Sequence, residues 1–239
     1  MSYLLANAAG ALLPLAVFGL FMILVAFAIW RAFVEMKRRR EMMRANAQRM
    51  GLTYLQDDDI GLYAMLPDVP VFQRGRARRC YNIIYDAEDE KQSMVLCDYK
   101  YTTGGGKNSH TYHLFTCLLR LDPPLDPRVW VWMQQEGFLQ RLGEFLGVAD
   151  IDFADDPDFS RRFRVKPVGA SASEDAIRKA LTTEVRRHIM SFHVEPVPQV
   201  AITPDRLVVL VNQKQTKQVE AIDSLLKFSI GLRETLVKQ

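Results

Sequence analysis

Apolar and small side chains run from Leu12 to Trp30 without one charge, and residues 31–50 then carry seven Lys or Arg against two Glu. Nineteen helical residues at 1.5 Å each reach about 28 Å, close to the ~30 Å hydrocarbon core of a bilayer. The pattern predicts one transmembrane helix whose lipid-facing anchors include Leu12, Phe18, Phe21, Leu24, Phe27 and Trp30. KRRREMMRANAQRM has no Gly, Pro or β-branched residue, so the helix is expected to continue to Met50 and to be capped by Gly51. Along it Met36, Met43, Ala47 and Met50 form a thin apolar stripe, too short for a coiled coil.

Beyond Gly51 the periodicity changes repeatedly. LTYLQ reads as a short strand, and DDDIGLYAML as a helix with Ile60, Tyr63 and Leu66 on one face, ended by Pro67 and Pro70. Runs of β-branched and aromatic residues at about 79–86, 94–103 and 111–121, separated by AEDEK and GGGKNS, predict an antiparallel meander. After the Pro-rich LDPPLDPRV, FLQRLGEFLG has helical spacing. RRFRVKP then reads as a strand, and Ser171 with Glu174 as a capping box for a helix burying Ile177, Leu181, Val185 and Ile189. VPQVAI and RLVVLV flank a TPD turn and predict a hairpin. A last helix, about 216–238, is expected to bury Val219, Ile222, Leu226 and Ile230. The fold class is therefore α+β: a single N-terminal transmembrane helix, then a mostly antiparallel sheet with helices packed on one face. The domains are 1–50, anchor and basic juxtamembrane helix, and 51–239, the α+β body, with 51–147 and 148–239 as possible halves.

Charge decides sidedness. Lys and Arg beside a span stay in the cytoplasm, which predicts an inner-membrane, single-pass protein with its N-terminus out and its body cytoplasmic. A cleaved secretory signal is the rival, but it requires basic residues before the apolar run, and here they follow it. Of 31 basic and 28 acidic residues the juxtamembrane collar takes seven and two, so the body is left with a net charge of −2. That balance argues against nucleic acid as a partner. In the collar, Arg31, Lys37, Arg38, Arg39 and Arg40 suit anionic lipid headgroups.

Candidate chemistry is sparse. Cys80, Cys97 and Cys117 make no CxxC pair and read as buried thiols in a reducing compartment. TTGGGKNS fails as a phosphate loop, since Asn108 follows Lys107 and a strand comes next. DIDFADDPDF gathers five Asp, a reading that invites a hard cation, yet Asp155 and Arg161 stand where a calcium loop needs Gly and Glu. Pairing with Arg161, Arg162 and Arg164 is the plainer expectation. No nucleophile or metal-protease motif is present, and no cofactor is implied.

CYNIIY with Asn82, DYKYTTGGGK (98–107), DIDF (150–153), PDFSRRF (157–163) and EDAIR (174–178) resemble a group of uncharacterised bacterial proteins that have an N-terminal membrane helix and a soluble domain. The resemblance implies a single domain behind a membrane anchor and carries no activity. The leading expectation is a non-enzymatic accessory or scaffold subunit that docks on a membrane partner or on itself. Two rivals stand beside it: a ligand-binding or hydrolase domain with a groove of Asn82, Asp98, Tyr99, Tyr101 and Asp152, and an anionic-lipid sensor acting through the collar.

Overall fold

The computed structural model describes residues 2–89, 93–135, 150–192 and 197–238, with side chains of the first helix described from Val17. That helix, α1 (Ser2–Met50), is continuous through the apolar run and the collar. Gly51 ends it at φ +70°, where Leu52 N–H donates to the Ala47 carbonyl at 2.9 Å and Gly51 N–H to that of Gln48 at 3.1 Å. This paired 6→1 and 5→2 closure is the Schellman motif, and its left-handed residue is one that glycine adopts without a Cβ penalty. The chain forms two compact units, Met1–Met42 and Met43–Gln239, so the last two turns of α1 belong to the body. Met43 and Ala47 are fully buried there, whereas Met36 is 51% exposed. The expected apolar stripe thus functions only from Met43 onward.

The body is built on one antiparallel sheet of eight strands, with spatial order β1-β2-β3-β4-β8-β7-β5-β6. The strands are β1 (Thr53–Leu55), β2 (Arg76–Tyr85), β3 (Met94–Thr103), β4 (His110–Arg120), β5 (Val131–Gln135), β6 (Phe163–Pro167), β7 (Gln199–Ile202) and β8 (Arg206–Asn212). All but β5 fall on runs read as strands from sequence. β5 was missed because both its faces are covered: Val131, Trp132, Met133 and Gln134 are all buried, which erases the alternation of a half-exposed strand. It lies between β6 and β7, so the sheet draws strands from both sides of residue 147. The helix expected over FLQRLGEFLG lies outside the described residues.

Period-two alternation divides the core. Cys80, Val95, Cys97, Tyr99, Tyr101, Leu114 and Leu118 share one cluster with Leu62, Val69 and Phe72. Those last three bracket two single-turn helices, α2 (Leu62–Met65) and α3 (Pro70–Gln73). Cys117 points the other way, toward α7 (Val219–Val237), where its thiol meets the Ser229 hydroxyl. Against α7 lies α6 (Thr183–Met190): His188 Nε2 is 2.9 Å from the Phe228 carbonyl oxygen. A Cβ at Gly231 would come within 2.6 Å of that imidazole, so the contact requires glycine inside α7. The long C-terminal helix thus covers one face as expected, and the single turns close the other.

Four local expectations are corrected. The helix over DDDIGLYAML is only the turn α2, because Gly61 at φ +69° breaks it; the Asp58 carboxylate accepts from Leu62 and Tyr63 N–H at 2.6 and 2.7 Å. Pro70 opens α3 rather than ending a helix, since a first-turn residue has no N–H obligation. The Ser171–Glu174 capping box does not form: Ser173 is the N-cap of α5 (Glu174–Ala180), and Thr182 caps the separate α6. Ile177, Leu181, Val185 and Ile189 are nevertheless all buried. On α7 the buried stripe is Ile222, Leu225, Phe228, Ser229, Leu232 and Leu236; Val219 is half-buried at the helix start, and Leu226 and Ile230 are half-buried because two successive steps of four drift off a 3.6-residue face.

Candidate functional site

On α1, Phe18, Phe21, Leu24, Phe27 and Trp30 are 55–63% exposed, an apolar surface that water does not favour, and Leu12 lies on the same helix outside the described side chains. By length and composition α1 is the one described helix able to cross a membrane. In the collar Arg31 pairs with Glu35 at 3.4 Å and Lys37 with Glu41 at 3.8 Å, exposed i,i+4 pairs worth about 0.3–0.5 kcal/mol. Arg38 is exposed, and Arg39 and Arg40 are half-buried. In the body, Arg49 bridges α1 to Asp223 of α7, and the Arg44 guanidinium lies 5.4 Å above the Tyr54 ring.

The five residues of the expected groove are not brought together. Asn82 and Asp98 meet: the Asn82 amide donates to the Asp98 carboxylate at 2.8 Å, and Tyr54 O–H donates to Asn82 Oδ1 at 2.8 Å. Asn82 sits at φ +49° in a register shift between Tyr81 and Ile84, and its N–H donates to the Gln56 carbonyl at 3.0 Å. Asn tolerates this left-handed geometry better than most residues, and the bulge lets one side chain join β1, β2 and β3. Both side chains are buried, Asp98 completely. The pair therefore acts as a joint between strands, closed to ligand. Asp152 is exposed elsewhere, and its carbonyl accepts from Arg178 at 2.7 Å.

Tyr99 and Tyr101 lie on the opposite face, next to one another in a chain of rings. Phe72 meets Tyr99 edge-on at 5.1 Å, Tyr101 stacks on Tyr112 at 5.0 Å, and His110 meets Tyr112 edge-on at 4.5 Å. Tyr101 is pushed up to about 12, first by burial and against the pull of Arg74, and burial likewise raises Tyr99. Both phenols stay protonated. Over this ladder folds an arm that the sequence reading missed, QRGRARRC, with Arg at 74, 76, 78 and 79. Four Arg within six residues was the signal. A Cβ at Gly75 (φ +69°) would collide with the Thr102 carbonyl, which explains the glycine. Arg76 donates to the Gly104 carbonyl, Arg78 donates to the Phe72 carbonyl at 3.1 Å and lies 5.6 Å over Tyr63, and Arg79 pairs with Asp57.

The acidic stretch has a structural explanation in Arg186, whose side chain is 4% exposed. Its guanidinium bridges Asp155 and Asp156, donates to the Leu181 carbonyl at 3.0 Å, and lies 4.5 Å from the Phe153 ring centre. Asp156 also caps α4 (Pro157–Arg162), accepting from Phe159 N–H at 3.2 Å. Asp158 pairs with Arg161, and Asp150 with Lys166 at 3.5 Å and Arg164 at 3.6 Å. Among the described residues no group of three or more His, Cys, Asp or Glu is placed to hold a metal ion.

The three cysteines are free and buried. The hydrogen bond that the Cys97 thiol donates to Cys80, and then burial, raise Cys97, and burial pushes Cys117 up to about 12, so neither is a ready thiolate. His113, partly covered on β4, has Nδ1 3.1 Å from the Tyr81 hydroxyl, which accepts from Gln213 at 3.2 Å.

No protein-family model matches the chain, and a search of curated proteins finds no match. Among solved structures, the chain is similar in fold to the mycobacterial trehalose monomycolate transport factor A, TtfA. The TM-score is 0.57 at 10% sequence identity, covering 82% of this chain and 93% of that one.

Proposed function

We propose that this chain is a membrane-anchored, non-enzymatic accessory subunit whose body docks on a partner protein. The observation that carries this reading is how the polar groups are used. Asp98, Asp155 and Asp156, the acids most open to a chemical reading, are spent on Asn82 and on Arg186. Meanwhile the apolar face of α1 stays exposed and its last two turns are built into the body. A helix that begins as an anchor and ends as core suits a part that holds a domain at a membrane. The fold likeness to a protein described as a transport factor supports the same class of role, at the level of architecture. The basic collar supports a cytosolic body, because Lys and Arg beside a span stay on the cytoplasmic side.

Two measurements test this. Native purification from membranes should return the chain with stoichiometric protein; recovery of monomer alone would remove the accessory role. Protease added to intact cells should leave the body uncut, and loss of the C-terminal portion would reverse the sidedness.

A further inference from the structure

The sheet end that carries the β3–β4 hairpin is strongly basic in a body whose net charge is −2. Residues 69–82 and 99–113 contain six Lys or Arg and no Asp or Glu. Three acids at these segments are committed, Asp57 to Arg79, Asp58 to the N–H groups of α2 and Asp98 to Asn82, while Asp68 is exposed before α3. Arg76 reaches only the Gly104 carbonyl, and Arg78 only the Phe72 carbonyl and the Tyr63 ring, so both guanidiniums lack a carboxylate partner among the described residues. Beside them the ring ladder climbs from buried Tyr101 through half-buried Tyr112 to exposed His110. Ala77 is held at φ +52° within a register shift between Arg76 and Arg79, a bulge that re-aims the arginines at this end. Met65 of α2, on the same face, is 41% exposed, the one exposed large apolar side chain of the body among the described residues.

We infer that this tip, formed by Arg74, Arg76, Arg78, Lys107, His110 and Tyr112, is a docking surface for an acidic segment of a partner protein. The inference rests on the accessory-subunit reading and adds to it the face and the chemistry of the partner. Arg and Tyr are the side chains that most often anchor protein interfaces, because planar guanidinium forks match carboxylates and rigid rings bury area at little entropy cost. An anionic bilayer is the weaker occupant: the hairpin tip GGGKNS offers no apolar side chain to insert.

The test uses the full chain in neutral-lipid nanodiscs, titrated with a fluorescent deca-glutamate peptide. Saturable binding is expected, weakening steeply from about 0.05 to 0.5 M salt. Arg76→Glu with Lys107→Glu, both exposed, should weaken it about tenfold or more at an unchanged denaturation midpoint, and the Gln pair should fall between. Equal binding by the charge-reversed protein, no saturable binding, or preference for anionic-lipid vesicles over the peptide would overturn the inference. Native purification decides the accessory role separately: a partner retained by the charge-reversed chain would leave that role standing and remove this surface.

Discussion

The amide of Asn82 donates to the carboxylate of Asp98 across the β2–β3 pair at 2.8 Å, with Asp98 wholly out of water. A buried carboxylate is tolerated only when it is hydrogen-bonded, so this contact carries weight in the fold. Asn82→Ala should destabilise the body by about 2–4 kcal/mol, from a lost bond to a charged group and a β-carbon held at positive φ without Asn's local compensation. Tyr54→Phe, which removes only the outer link, should cost about 1 kcal/mol. Denaturant unfolding of the two variants checks the order, and equal losses would show that the network is not organised around Asp98.

Arg186 supports a second prediction. Its guanidinium is nearly buried while Asp155 is 65% exposed, so the two ends of the bridge should respond unequally. Arg186→Ala should cost about 2–4 kcal/mol and loosen the 150–162 segment, whereas Asp155→Asn should cost under about 1 kcal/mol. Hydrogen exchange at Phe159 N–H, capped by Asp156, reports the loosening directly.

At the root of α1, Met43→Ala should cost about 2–4 kcal/mol of body stability, because the side chain is fully enclosed and its removal leaves a cavity. Gly51→Ala should cost about 1 kcal/mol through its left-handed φ. Met36→Ala, in the exposed part of the stripe, should leave stability unchanged, and thermal unfolding in detergent compares the three.

His113 gives the body a pH dependence. Burial lowers its pKa below 6.5, Lys100 and Lys214 lower it further, and Asp98 opposes them; the Tyr81 hydroxyl is its hydrogen-bond partner. The unfolded state then binds the proton more readily. Stability from this group is complete above the unfolded pKa of 6.5 and declines as pH falls toward the folded value. His113→Gln should flatten that part of a stability–pH curve, and an identical slope in the variant would assign it to other groups.

The sequence alone determined what is local. An uncharged run followed by a basic collar defined the helix, Gly51 marked its end, and β-branched runs divided by polar turns gave the β2–β3–β4 meander and the β7–β8 hairpin. Each signal lies within one segment, where helix or strand period and neighbouring residues set the backbone. Tertiary structure decided which segments meet. It inserted β5 between β6 and β7, and joined Asn82 to Asp98 over 16 residues and Arg186 to Asp156 over 30. Those pairings follow from long-range strand register and from the need to satisfy buried charge, and neither leaves a periodic trace in the chain. An acidic loop expected to pair with Arg161, Arg162 and Arg164 is therefore built chiefly around Arg186, and the arginines at 74, 76 and 78 gain their setting only from the packed sheet end.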